Sequence, residues 1–169
     1  MKKITREYKI YKYNELGKKA KEIALQNYIN DNDYLFLPEY MQDELSELLK
    51  KHKITGEAKI LYSLAYCQGD GSMFYGQLEW KKYDILVKHS GHYYHYNSKT
   101  IEMTDKKTGD WCENEKDIEQ FEKLYVKICK ELEKVGYAYI ENENSENTFK
   151  ELSKSNGYTF LASGVMMNE

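Results

Sequence analysis

The sequence has few cysteines to form disulfides, a single proline to interrupt helices and strands, and no apolar run long enough to cross a membrane. Its 169 residues include three cysteines and one proline. An odd number of cysteines, with no CxxC pair among them, argues against a disulfide scaffold or a zinc knuckle and fits free thiols in a reducing cytoplasm. No apolar run reaches the length of a transmembrane helix, and the opening MKK is not followed by the apolar segment of a signal peptide. We therefore expect a cytoplasmic protein without a membrane segment.

An excess of charge of one sign is also missing. The net charge is −3, from 25 basic and 28 acidic residues. Non-specific binding to nucleic-acid phosphates needs a concentrated basic face, so we expect none here. The acidic run ENENSE at residues 141–146 is predicted to be a solvated loop, and its alternative role is to mimic phosphates in a basic cleft.

Hydrophobic periodicity predicts helices toward both ends of the chain and strands between them. The helical period marks residues 15–29, 38–52, 114–136 and 145–155, with Gly136 ending the third helix. Alternation predicts strands at residues 4–13, 60–66, 74–80, 83–89, 92–96, 100–105 and 158–161. This order predicts an α+β fold, in which a central antiparallel meander carries amphipathic helices from both ends of the chain on one face. The length suits a single domain over residues 1–169.

The most informative segment is LYSLAYCQGDGSMFYGQLEW at residues 61–80. Its centre, Gly69-Asp70-Gly71, has turn chemistry because glycine adopts positive φ without strain and Asp tolerates the left-handed region. The segment predicts a β-hairpin whose polar tip is residues 68–72. The tip is either a turn alone or a binding loop that a ligand approaches closely. It is not a phosphate-binding P-loop, because no Gly-Lys-Ser/Thr follows and it joins two strands.

Two residues at this tip are candidates for chemistry. Cys67 would need a base such as His89 or His92 to act as a nucleophile, whereas a free cysteine in a strand is more often a small buried hydrophobe. Asp70 has no second carboxylate nearby in sequence and is a poor general base. The sequence therefore predicts no catalytic residue and no cofactor.

A second cluster, HSGHYYHY, occupies residues 89–96. His89 and His92 straddle the Ser90-Gly91 turn and could meet at a metal. His92 and His95, however, are three residues apart, which places them on opposite faces of a strand. We expect no metal site and favour an exposed polar and aromatic hairpin, which suits a contact surface.

The order of several short segments resembles a known family. YKYNELGKKAKEIALQNY at residues 11–28 is followed by YCQGDGSMF at 66–74, GYAYI at 136–140 and YTF at 158–160. The order is similar to that of uncharacterised small phage and prophage proteins, some labelled antitoxin-like, and the likeness covers most of the chain. Cys67 and Gly17 stand where the family has serine, which weakens any role for those hydroxyls. The resemblance implies a phage or mobile-element context in a bacterial host cell.

These observations predict a non-enzymatic phage or mobile-element protein that inhibits a host defence effector, as anti-CRISPR proteins inhibit nucleases. A nucleic-acid-guided nuclease has a basic cleft that suits an acidic partner. The alternatives are an antitoxin-like regulatory protein-binding module and a small enzyme that acts on a nucleotide-like molecule through Cys67 and Asp70. The oligomeric state is left open. The seventeen tyrosines supply anchors for the expected contact surface, whose residues are Tyr66, Gln68, Gly69, Asp70, Gly71, Ser72, Tyr75, His92, Tyr93, Tyr94, His95 and Tyr96.

Overall fold

The computed structural model describes residues 7–167. Its helices are α1 (Lys18–Asp31), α2 (Leu37–Lys51), α3 (Glu115–Glu143) and α4 (Glu146–Ser155), preceded by a 3₁₀ turn at Tyr13–Glu15. Its strands are β1 (Ile54–Ser63), β2 (Gly71–Trp80), β3 (Tyr83–His89), β4 (Lys99–Asp105), β5 (Thr159–Phe160) and β6 (Met166–Met167). Within residues 7–167, no helix combines the length and the apolar character that crossing a membrane requires.

The chain divides into two compact units, although the sequence predicts one domain. One unit, the terminal unit, takes its described residues from Met1–Tyr34 and Tyr139–Glu169, and the other, the sheet unit, spans Leu35–Ala138. Whether the two units fold as one domain stays a prediction.

The sheet unit is built on a four-stranded antiparallel meander in the order β1-β2-β3-β4. The hairpin predicted at residues 61–80 is confirmed, with Ser63 opposite Gly71 at its closed end. The strand predicted at 83–89 is β3, and it pairs with both β2 and β4. The α+β class and the meander predicted from the sequence are therefore confirmed.

One face of this sheet is apolar and packs against α3. Strand alternation places the following buried residues on that face: Ile54, Phe74, Leu78, Trp80, Tyr83, Ile85, Val87 and Met103. The helical period predicts a buried α3 stripe of Ile118, Phe121, Tyr125, Ile128 and Leu132. The last four are entirely inaccessible to solvent, whereas Ile118 is only partly buried. Ring contacts join the two layers, with centroid distances of 5.4 Å for Trp80 and Phe121 and 4.4 Å for Phe74 and Tyr125.

Polar groups also connect α3 to β2. The Tyr125 hydroxyl donates to the Phe74 carbonyl at 2.9 Å and accepts from the Phe74 N–H at 3.2 Å. Phe74 lies beyond Gly76, where the pairing of β2 with β3 ends, so the hydroxyl satisfies backbone groups that would otherwise be buried without partners. Ser72 donates its hydroxyl to the Cys129 carbonyl at 2.6 Å.

The β1 edge of the sheet is covered by α2. The Gln42 side-chain amide donates to the Ala58 carbonyl at 2.9 Å, and its oxygen accepts from the Ile60 N–H at 3.2 Å. One side chain thus takes the place of a further strand and blocks edge-to-edge pairing at this point.

The terminal unit has its own small core. Tyr13, Leu16, Ala20, Ala24, Phe149 and Phe160 form it. Tyr28 stacks on Phe149 with ring centroids 4.6 Å apart. The predicted fourth helix is confirmed as α4, whose N-terminal cap is the Ser145 hydroxyl, 3.2 Å from the Thr148 N–H.

The strand predicted at residues 4–13 is wrong where the structure describes it, and residues 4–6 lie outside the described residues. Residues 7–12 carry an isolated antiparallel bridge between Tyr11 and Phe160 but no strand. A strand needs a partner of comparable length, and β5 has two residues. Because Tyr13–Glu15 forms a 3₁₀ turn, α1 begins at Lys18 and not near residue 15.

Two predictions around α3 are also wrong. The helix continues through Gly136 to Glu143, so Gly136 is not its end. In the acidic run 141–146, residues 141–143 finish α3 and Glu146 begins α4, which leaves Asn144 and Ser145 as the connection. Glycine inside a helix costs about 1 kcal/mol relative to alanine. Packing explains this glycine, because an added Cβ would lie 2.4 Å from the Leu64 Cδ1 and 3.0 Å from the Met41 Sδ.

Residues 92–96 form a loop and not the predicted return strand. The sequence HYYHY alternates, but β3 pairs with β4 instead, from His89 opposite Lys99 to Tyr83 opposite Asp105. The return strand therefore starts after the His/Tyr cluster, which is left free to form the connection.

Candidate functional site

The two clusters singled out in the sequence meet in space. Residues 64–70 connect β1 to β2, and residues 90–98 connect β3 to β4. A Cβ added to Gly69 would lie 3.3 Å from the Tyr93 ring, and one added to Gly71 would lie 2.7 Å from the His95 Cδ2. We call these two connections the loop pair. The contact between them was not predicted.

Asp70 organises the first loop. Its Oδ1 accepts from the Ser63 hydroxyl at 3.1 Å and from the Cys67 thiol at 3.3 Å. Its Oδ2 accepts from the backbone N–H of Ala65 at 2.8 Å and of Cys67 at 3.1 Å, and also from the Tyr137 hydroxyl of α3. One carboxylate therefore ties together the loop, the end of β1 and α3.

These contacts set the protonation state of Asp70. Desolvation acts to raise its pKa, but the hydrogen bonds from Tyr137, Cys67 and Ser63 outweigh it and hold the pKa well below its ordinary value. Burial, followed by the bond to Asp70, raises the pKa of Tyr137 to about 12. Asp70 is thus a fixed acceptor of hydrogen bonds, which is the opposite of what a general base at neutral pH requires.

Cys67 is exposed, but its thiol is not activated. The hydrogen bond that it donates to Asp70, followed by desolvation, raises the pKa of the thiol. A nucleophilic cysteine needs the opposite shift. His89, one of the two bases considered for it, has its Nε2 3.2 Å from the Tyr93 carbonyl oxygen.

The second loop is held by its own contacts. The Ser90 N–H donates to the Ser98 carbonyl at 2.9 Å, and the Ser98 N–H donates to the His95 carbonyl at 2.8 Å. The His95 and Tyr96 rings lie 3.8 Å apart, and Lys130 of α3 places its Nζ 5.4 Å from the centre of the Tyr96 ring. Among residues 7–167, no group of three or more His, Cys, Asp or Glu side chains is arranged to hold a metal ion.

The loop pair exposes three tyrosine rings. The exposed fractions are 64% for Tyr66, 63% for Tyr93 and 43% for Tyr94. Tyr66 also packs on Tyr137, with ring centroids 4.6 Å apart. Gln68, Gly69 and His92 are exposed beside them.

Three of the residues predicted for contact lie elsewhere. Ser72 is completely buried and bonded to Cys129, and Gly71 is buried beside His95. Tyr75 is half-buried on β2, on the sheet face that points away from α3. Of the residues predicted for contact, Tyr66, Gln68, Gly69, His92, Tyr93 and Tyr94 are exposed on the loop pair, whereas Asp70, His95 and Tyr96 are partly buried.

Tyr137 is the residue of this site that sequence reasoning missed. It lies 67 positions after Asp70, on a helix whose period marks other residues for the core. Its neighbourhood, GYAYI, carries part of the family resemblance, and nothing in that pattern connects it to the hairpin tip.

Comparison with known proteins does not assign the chain to a family. No family model matches the chain, and neither a curated protein nor a solved structure is significantly similar to it. The resemblance to small phage proteins therefore stays a prediction, and a function has to be argued from the geometry above.

Proposed function

We propose that this chain is a non-enzymatic protein-binding module and that the loop pair is its contact surface. The observation that carries the proposal is the exposure of Tyr66, Tyr93 and Tyr94 on two loops that pack against each other. Tyrosine is enriched at protein interfaces and at their energetic hot spots, because it offers a large contact area and a polar tip.

The backbone beneath these rings is preorganised. Asp70 receives hydrogen bonds from Ser63, Ala65, Cys67 and Tyr137. A loop that is ordered before binding loses less conformational entropy when its partner arrives, and this strengthens binding. Exposed aromatic rings on a fixed backbone are the arrangement that binding loops of other proteins use.

The same contacts weigh against the enzyme alternative. A reaction through Cys67 or Asp70 would need an activated thiol or a carboxylate able to take up a proton near neutral pH. The hydrogen bond between these two side chains shifts both pKa values in the unfavourable direction.

A more specific hypothesis concerns the partner. We propose a host protein, and in particular a nucleic-acid-guided nuclease that the chain inhibits. The net charge of −3 is compatible with approach to a basic nucleic-acid cleft. An antitoxin-like regulatory role would use the same surface on a different partner, so the identity of the bound protein distinguishes the two.

A cleavage assay tests the inhibitor hypothesis. Each guided nuclease of the cell that carries the gene would cut a target DNA with and without the purified chain. We expect inhibition by the wild type, and at least tenfold weaker inhibition by the Tyr93→Ala/Tyr94→Ala variant, since each hot-spot ring contributes about 2 kcal/mol or more. Unchanged cleavage at saturating chain would overturn the nuclease partner.

A matched control keeps this test specific. Leu35 and Phe36 are strongly exposed apolar residues of the same unit and belong to neither loop. The Leu35→Ala/Phe36→Ala variant should inhibit like the wild type. Equal losses in both double variants would mean that general surface hydrophobicity, and not the loop pair, makes the contact.

A further inference from the structure

The sheet face that points away from α3 forms an open groove of about 770 Å³. Residues from all four strands of the meander line it. Trp111, which follows β4, forms its side wall and is bridged to Thr104. The groove therefore belongs to the sheet itself and is separate from the loop pair.

Each strand contributes one carboxylate to this groove. They are Glu57, Glu79, Asp84 and Glu102. Lys59 of β1 also lines the groove, so the four carboxylates outnumber the one lysine in its lining. Two have lysine partners, because Lys106 pairs with Glu79 and Lys88 pairs with Glu102. Within residues 7–167, Glu57 and Asp84 form no ion pair.

Two of the carboxylates are direct cross-strand neighbours. Glu79 of β2 stands opposite Asp84 of β3 in the register. Like charges directly opposite each other destabilise a sheet. Lys106 offsets the charge of Glu79, whereas Asp84 beside it has no lysine partner in the described part of the chain, so a cationic group bound between the two strands would be stabilised chiefly by Asp84.

Aromatic and apolar side chains lie among these charges. Tyr75 and Leu86 are half-buried in the groove, and Trp111 exposes 65% of its surface. A guanidinium group combines the charge that carboxylates attract with a flat face that stacks on aromatic rings. Lysine has the charge without the flat face.

We propose that this groove is a docking surface for an arginine-bearing segment of a partner protein. Charge complementarity selects the cation, and Trp111 and Tyr75 select guanidinium over ammonium. The inference does not rest on the function proposed for the loop pair, since it uses different residues and a different chemistry.

A peptide titration tests it. The probe is a short fluorescein-labelled peptide that alternates arginine and glycine, compared with the same peptide carrying lysine in place of arginine. Anisotropy should show saturable binding of the arginine peptide, several-fold tighter than the lysine peptide. Equal affinities for the two peptides, or no binding of either, would overturn the proposal.

Variants locate the binding. Glu57→Gln/Asp84→Asn and Trp111→Ala should each weaken the binding of the arginine peptide several-fold without lowering the urea midpoint below that of the wild type. The matched control, Glu141→Gln/Glu151→Gln, removes the same charge from exposed positions of the terminal unit and should bind like the wild type. If the control variant loses as much affinity for the arginine peptide as the groove variant does, the result would contradict binding at a specific site in the groove.

A loop-pair variant separates this proposal from the previous one. Tyr93→Ala/Tyr94→Ala should leave the affinity for the arginine peptide unchanged. If the loop variant loses the peptide and the groove variants keep it, the docking surface has been assigned to the wrong face.

Discussion

Tyr137 of α3 donates its hydroxyl to the Asp70 carboxylate in the connection between β1 and β2. This bond fixes a loop tip to the longest helix of the protein. The Gly-Asp-Gly segment therefore has a structural role beyond that of a turn, because the same carboxylate also accepts hydrogen bonds from Ser63, Ala65 and Cys67. The exposed rings of the loop pair are therefore presented on a backbone that is held from several sides.

The first prediction concerns the energy of this bond. Asp70→Asn should lower the free energy of unfolding by about 2 kcal/mol, and Tyr137→Phe by about 1 kcal/mol, since hydrogen bonds to a charged group are stronger than neutral ones. Urea unfolding measures both. The double variant should lose less free energy of unfolding than the two single variants lose together, because both changes remove the same interaction. Full additivity would show that the two residues are not coupled.

The second prediction concerns pH. The folded-state pKa of Asp70 lies below its ordinary value, so its contribution to stability is present above the unfolded pKa of about 4 and is lost as the pH falls through that value toward the folded pKa. The stability difference between the wild type and Asp70→Asn should stay constant from neutral pH down to about pH 5 and shrink below about pH 4. A difference that grows on acidification would contradict the assigned sign.

The third prediction concerns the reactivity of Cys67. Because Asp70 raises the pKa of this thiol, alkylation by iodoacetamide at mildly alkaline pH should be slower than that of a small free thiol. In Asp70→Asn the rate should rise several-fold. The measurement is made in a Cys112→Ser background, which leaves the buried Cys129 as the other thiol. Faster alkylation of wild-type Cys67 than of the free thiol would revive the nucleophile hypothesis.

The fourth prediction concerns the contact between α3 and β2. Tyr125→Phe removes the hydroxyl that serves both backbone groups of Phe74 and should cost about 2 kcal/mol, since buried polar groups lose their partner. Thermal or urea unfolding measures this loss. The control is Tyr93→Phe, whose hydroxyl lies on an exposed ring and whose removal should change stability by less than about 0.5 kcal/mol. Similar effects in both variants would argue against the role of the Tyr125 bond.

Local pattern predicted much of the sheet unit. Period and turn chemistry were enough for the hairpin around Gly69-Asp70-Gly71 and for β3, because both depend on neighbours in sequence. The α3 stripe followed for the same reason. The strand predicted at residues 92–96 is wrong because alternation indicates a strand without showing whether a partner strand exists. In the structure, Lys99 lies opposite His89.

The rest of the site depends on contacts between distant residues. The bond between Tyr137 and Asp70 spans 67 positions, and no periodicity connects them. The sequence predicts that Gly136 ends α3 because glycine disfavours helix, whereas in the structure the Leu64 and Met41 side chains occupy the space that a Cβ at this position would take. Both cases depend on tertiary contacts, and at Gly136 the tertiary packing overrides the local helix preference of glycine.

The most direct test of the account is the affinity of the loop pair for a protein partner. The partner would be captured on the wild-type chain from cells that carry the gene, purified, and titrated by calorimetry against the wild type, Tyr93→Ala/Tyr94→Ala and Leu35→Ala/Phe36→Ala. The account predicts that the tyrosine variant binds at least tenfold more weakly at an unchanged unfolding midpoint, with the control unaffected. Wild-type affinity in the tyrosine variant, or the absence of any captured partner, would contradict the claim that the loop pair is a binding surface.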